Sequence, residues 1–324
     1  MATSSNRDGA NAGLDALLAE LESPDDGVRA DALRALARLG PEAEPAIPRL
    51  EAMLAELSRP GESPSRVSRL SWETVETLAA IGEKALPVLE SLALRSDLDT
   101  AERAVLAVGA LAPEVLESAV PWLVKVVNHR RGEAGLLDGA NVRESAAKVL
   151  GRVGHLAAAP LVALIQRGGG KVCIEVALAL GAVGEAGAPA VPWLVGLLRR
   201  TEERESWKLL RVFGQIGPRA REAVPLLIEH LEVRWPDVHR QMAAEALGRI
   251  GPGAAAAVPA LTAILAGQQA GASVAGEAAS ALGRIGPAAR EALPALEACL
   301  EHPDPYVRSK AQAALELMLG PAGR

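Results

Sequence analysis

One stretch constrains the chain more than any other: VAGEAASALGRIGPAAREALPALEACL, from Val274 to Leu300, with a near copy, VHRQMAAEALGRIGPGAAAAVPALTAIL, from Val238. Val274, Ala278, Ala281, Leu282 and Ile285 recur at the three- and four-residue steps of one helix face. Gly286 and Pro287 then end the helix, the first by entering positive φ, the second by lacking an N–H for the ladder. Pro294 suits the first turn of a second helix, whose apolar stripe is Leu296, Cys299 and Leu300. Two helices this short cannot bury their apolar faces alone, so copies of the pair must stack.

The copies can be counted. The apolar residue before the terminal Gly, or its substitute, falls at Leu39, Ile81, Leu111, Val153, Val183, Ile216, Ile250, Ile285 and, in degenerate form, Met318. The spacings are 42, 30, 42, 30, 33, 34, 35 and 33 residues, regular from Val153 onward. In the first repeat Val28, Ala32, Ala35, Leu36 and Leu39 form the stripe. The second-helix prolines are Pro48, Pro87, Pro121, Pro160, Pro192, Pro225, Pro259 and Pro294. Eight helix pairs follow, with capping helices expected over Leu14 to Leu21 and Val307 to Leu319. The long spacings hold two loop-like insertions, 59–66 and 128–140, and a smaller loop runs from Gly267 to Ala272. Residues 1–13 read as a disordered polar lead, and 14–324 as a single continuous array.

Composition agrees with an all-α chain. Hydrophobic residues make up 49% of it and aromatic ones 2%, so Ala, Leu and Val build the core, a palette that disfavours strands. The net charge of −6 supplies no basic field for a phosphate backbone, which disfavours nonspecific nucleic-acid binding, and no nucleic-acid partner is expected. Cys173 and Cys299 lie in distant repeats at apolar helical positions and form no disulfide framework, which fits a reducing compartment. The first residues have neither a basic start nor an apolar core, and no apolar run of membrane-spanning length is free of Gly, Pro or charge. A cytoplasmic protein is expected.

The pattern VRxxAAxALGxIGPxAxxAVPALxxxL, matched by Val142, Arg143 and Ala146 at its start and by Ala246 to Pro252 at its turn, resembles the HEAT-repeat family of bacterial type, from about Asp25 to Leu319. Armadillo-type arrays share the architecture but add a third short helix, for which a 34-residue spacing leaves no room. The resemblance implies a right-handed α-α superhelix with second helices along its concave side. It implies no activity.

Motifs that would carry chemistry are absent from the sequence. His129, His155, His230, His239 and His302 fall in different repeats, none in a His-Glu pair of the kind found in HEAT-built iron hydroxylases, and they read as surface or turn groups. Gly168, Gly169, Gly170 and Lys171 lack the earlier Gly and following Ser or Thr of a phosphate loop and read as an inter-repeat turn. No Gly-x-Ser-x-Gly elbow occurs. No cofactor or metal is expected. Two enzyme families have related solenoids: DNA glycosylases, which need a basic groove, and bilin lyases or isomerases, whose likeness lies in the repeats alone.

Helix geometry points to a partner surface. If a second helix buries the residues two, five and six after its proline, those three and four after it face away. At those places the ends of the array carry acidic or small residues, whereas the middle carries Val124, Leu164, Val195 and Ile228. Beside them, one residue after the proline, stand Trp122, Leu161, Trp193 and Leu226, with Lys125, Glu229, Arg199 and Arg200 at the rim. This is a candidate apolar stripe for a helix or extended segment of another protein. The two Trp equally suit packing between adjacent second helices. Trp72 and Trp207 read as structural, and Trp235, beside Pro236, as the cover of a helix end. The expected function is a noncatalytic scaffold or adaptor, monomeric or weakly self-associating. A lyase or isomerase acting on a small molecule in the same groove, and a structural homo-oligomer, are the alternatives.

Overall fold

In a computed structural model, which describes residues 13–57, 64–95, 98–128, 140–167, 174–267 and 270–320, every regular element among the described residues is helical. The chain packs as two compact units, the first ending at Val149 and the second beginning at Leu150. The first holds α1 (residues 13–20), α2 (Asp26–Leu39), α3 (Ile47–Leu57), α4 (Pro64–Ile81), α5 (Leu86–Arg95), α6 (Leu98–Gly109), α7 (Pro113–Val127) and most of α8 (Ala140–Val153). The second continues with α9 (His155–Arg167), α10 (Ile174–Ala182), α11 (Val191–Leu198), α12 (Glu203–Ile216), α13 (Val224–Glu229) and α14 (Asp237–Ile250). It ends with α15 (Val258–Ala266), α16 (Ala272–Ile285), α17 (Leu293–Ala298) and α18 (Pro305–Leu319). From α2 onward, even-numbered helices are the first of each pair and odd-numbered ones the second. Most of the two long insertions, the glycine run at 168–171, Cys173, His129 and the lead lie outside the described residues.

First helices pack side by side, α2 on α4 on α6 in the first unit and α10 through α12, α14 and α16 to α18 in the second. In α10, α12, α14 and α16 the close approach to the next first helix rests on a glycine two residues before the phase marker. At Gly248 an added Cβ would lie 2.9 Å from the Cα of Ala281, and at Gly283 it would lie 2.6 Å from the Cα of Ala314. Both distances are well inside ordinary carbon contact. Leu36, Leu50, Leu78 and Leu89 in the first unit, and Leu180, Leu227, Leu247 and Leu282 in the second, are fully buried. Each contributes about 1.5–3 kcal/mol relative to an exposed side chain. Two expected stripe members are exceptions: Val28 and Leu39 are 37% exposed, although their counterparts Val274 and Ile285 are buried. Among first helices α2 has only α4 beside it, so its outer edge stays open.

The turn between paired helices is more regular than a loop. Gly286 takes φ +76 at the end of α16, and Gly286–Ala292 then runs as short 3₁₀ turns kinked at Ala289, with Ala289 and Ala292 buried. Six of the eight second-helix prolines sit at the start of their helix, as expected. Pro121 and Pro160 do not: they lie inside α7 and α9, which begin at Pro113 and His155. The segment before Pro121 has no helix-breaking glycine, and Ala112 in extended conformation starts α7 on Pro113. The segment before Pro160, HLAAA, is made largely of strong helix formers. In both repeats helix replaces the 3₁₀ turn.

Candidate partner-binding face

The structure divides the eight residues of the expected stripe, with Lys125 and Glu229 of its rim, into three groups. Trp122, Val124, Leu161 and Leu226 are interior: they are 4%, 8%, 0% and 5% exposed. For these four the contact reading is corrected. At Trp122, Leu161 and Leu226 the position after the proline turns toward the core side of the second helix, whereas the equivalent Trp193 stays half-buried. At Trp122 the whole indole is enclosed, and its Nε1 has no hydrogen-bond partner among the described residues. Val124 sits in a helix whose proline is internal, and Val126 and Val127 beside it are also buried.

Leu164, Trp193, Val195 and Ile228 remain half-buried, on α9, α11 and α13 of the second unit. Lys125 and Glu229 are exposed. Lys125 donates to Glu90 Oε1 at 2.8 Å, tying α7 to α5 inside the first unit. The outward apolar positions thus survive in the second unit, whereas Trp122 and Val124 in the first are core. Arg199 and Arg200 are exposed immediately after α11, where cations complement the helix C-terminus.

Sequence reasoning missed a cleft of about 370 Å³ between α13 and α15. Ile228 forms part of its lining, with Val233, Ala260, Ala263 and Ile264, and Glu232 stands at the edge. The volume lies at the low end of the range of about 300–1,000 Å³ for ligand pockets. One wall is the non-helical segment after α13, on which Val233 is 63% exposed.

An aromatic stack pins that wall. Trp235 lies 4.3 Å from His230 and 5.5 Å from His239, centroid to centroid, between the two imidazoles. His230 Nδ1 donates to the Leu226 carbonyl at 2.8 Å, and His239 Nε2 to the Glu203 carbonyl at 2.8 Å. Both rings are buried, which corrects the expectation of surface or turn histidines. Burial is the main cause holding the His230 pKa below its ordinary value, with the bond to Leu226 acting the other way. Nearby His239 and Arg234 lower it further and Glu229 raises it. Trp235 covers the end of α13, as its place beside Pro236 suggests: His230 is the residue that caps that helix. Buried Arg240 completes the wall, donating from Nε to the Leu231 carbonyl and from Nη1 to Asp237.

No group of three His, Cys, Asp or Glu that could hold a metal occurs among the described residues. Cys299 is buried, and desolvation raises its thiol pKa, the direction opposite to an activated nucleophile.

Comparison with known proteins follows the same lines. Residues 224–316 match the family described as HEAT repeats, and residues 28–56 match the PBS lyase HEAT-like repeat. Comparison with curated proteins by sequence finds no match. Among solved structures, a Kap121p mutant superposes with a TM-score of 0.71 at 15% identity, over 95% of this chain and 37% of that one. Kap121p bound to Pho4p gives 0.70 at 15% identity, over 95% and 38%. Yeast importin-beta, Kap95p, gives 0.55 at 11% identity, over 94% and 44%. At these identities the likeness is one of fold, and the chain spans less than half the length of these neighbours. Repeat pattern, paired helices and matched segments agree: residues 28–56 and 224–316 are HEAT-type repeats, and the fold is that of an α-solenoid.

Proposed function

We propose that the chain is a noncatalytic scaffold that holds a segment of a partner protein against the second-helix face of its second unit. One observation carries the reading: Leu164, Val195 and Ile228 are half-buried where helix geometry turns side chains away from the core, with Trp193 half-buried beside them. Fold neighbours solved with protein ligands, Kap121p with Pho4p and with the extreme C-terminus of Cdc14p, support protein binding in general. The experiment is site-specific photocrosslinking in the source cell, with a benzophenone side chain at position 195 and, as control, at buried position 194. A discrete adduct from position 195 alone supports the scaffold. Equal labelling from both, or none from either, overturns it.

A second reading has its own support. The PBS lyase HEAT-like match at residues 28–56, with a cleft of ligand size in the second unit, suits a lyase or isomerase acting on a small molecule. A chromophore copurifying with the chain, and lost on filling the cleft, would favour it over the scaffold.

A further inference from the structure

The cleft between α13 and α15 has a cause in the repeat register. One residue after the second-helix prolines the series reads Arg49, Val88, Trp122, Leu161, Trp193, Leu226, Ala260, Ala295. Trp122, Leu161 and Leu226 are buried, occupying space beside their own helix. At α15 the same position is Ala260, and it lines the open cleft opposite Ile228. Two features keep the space from closing. α13 is only six residues long, and the chain after it is held by the His230–Trp235–His239 stack. On the α15 side Ala260, Ala263 and Gly267 present little beyond backbone. The cleft is therefore an unfilled copy of a place that Trp or Leu takes elsewhere in this chain. A cavity of about 150 Å³ already admits a benzene ring, so about 370 Å³ accommodates an indole.

Charge narrows the occupant. The helices α13, α15 and α17 carry no Lys or Arg, and Glu229, Glu232 and Glu297 are exposed on or beside them. The cations nearby are already engaged: Arg234 Nε lies 3.0 Å from Glu232, and Arg240 is buried against Asp237. Resting on the scaffold reading above, we infer that this cleft is a socket for one bulky apolar side chain, Trp or Leu, of a partner segment whose flanking residues are Lys or Arg. The apolar side chain supplies the contact that Ala260 omits, and the flanking cations meet the glutamate rim.

The test uses the full chain with ¹³C-labelled isoleucine methyls and three peptides: Lys-Lys-Trp-Lys-Lys, Lys-Lys-Ala-Lys-Lys and Glu-Glu-Trp-Glu-Glu. The basic Trp peptide should shift the methyls of Ile228 and Ile264 saturably, with at least tenfold weaker effects from the other two. Ala260→Leu, which fills the socket as Leu226 fills its own site, should weaken that binding at least tenfold while helicity is kept. Ala263→Leu, at an exposed position, provides a second filler should the first perturb folding. Shifts that survive both fillers, or that the Ala peptide reproduces, overturn the socket. Equal binding of the acidic Trp peptide overturns the basic flank. The crosslink from position 195 separates the levels: if it persists while the peptides fail, the socket falls and the scaffold stands.

Discussion

Replacing Gly248 by Ala should destabilise the chain, although the same change in an unhindered helix position stabilises it. The two contributions can be set against each other. Alanine is favoured over glycine inside a helix by about 0.8–1 kcal/mol. At position 248, however, the new Cβ would stand 2.9 Å from the Cα and 3.2 Å from the Cβ of Ala281. Comfortable carbon separation is about 3.5–4.0 Å, so α14 and α16 must part by about 0.5–1 Å. Overpacking of this kind costs about 1–3 kcal/mol. Both faces are backbone-anchored, so no flexible side chain can yield, and the upper half of that range applies. A net loss of about 1–2 kcal/mol follows. Gly196, in α11, has nothing within 4 Å of its added Cβ, and Gly196→Ala should gain about 0.5–1 kcal/mol. Urea unfolding followed by circular dichroism measures both variants against wild type. Opposite signs support stacking through glycine contacts. A Gly248→Ala chain as stable as Gly196→Ala would refute it.

Further outcomes follow from single sites. Trp122→Ala should cost about 3–5 kcal/mol, as for a fully enclosed aromatic, and the half-buried Trp193→Ala clearly less; urea midpoints compare them. Because burial lowers the His230 pKa, the unfolded chain binds the proton more readily. Stability should therefore be complete above the unfolded value of 6.5 and fall as pH drops below it. His230→Gln should flatten that slope in thermal melts. The Tyr306 phenol, on a residue 40% exposed, is pushed up to about 12 by partial desolvation and by donating to Glu277 at 2.6 Å, and Glu277→Gln should bring its ultraviolet titration part of the way back toward 10. Asp25 accepts from the backbone N–H of Gly27 and Val28 at the start of α2, so Asp25→Ala should cost about 1 kcal/mol.

Periodicity alone made the helix pairs, their phase and most turn glycines legible, because stacking imposes the same apolar spacing on every copy. It did not show that α7 and α9 start before their prolines. That depends on residues between the phase marker and the proline, which the repeat pattern leaves free. Nor could it separate Trp122 from Trp193: each directly follows its own second-helix proline, Pro121 or Pro192, and only packing decides which is enclosed. The cleft escaped notice because its signal is a missing side chain, Ala260 after a run of Trp and Leu, and an alanine reads as ordinary in an alanine-rich array. The Trp235 stack joins residues five and four positions apart through a non-helical segment, a geometry no helical period encodes.

The central claim is that the half-buried apolar residues of the second helices face a partner and not the core. Affinity capture from source-cell lysate with wild type and the Leu164→Glu/Val195→Glu variant in parallel, after circular dichroism has established equal helicity, tests it most directly. The expected result is a discrete protein that crosslinks through position 195 and is retained by wild type but lost by the variant. A variant that unfolds, or that retains the same protein as wild type, would contradict the assignment of this face.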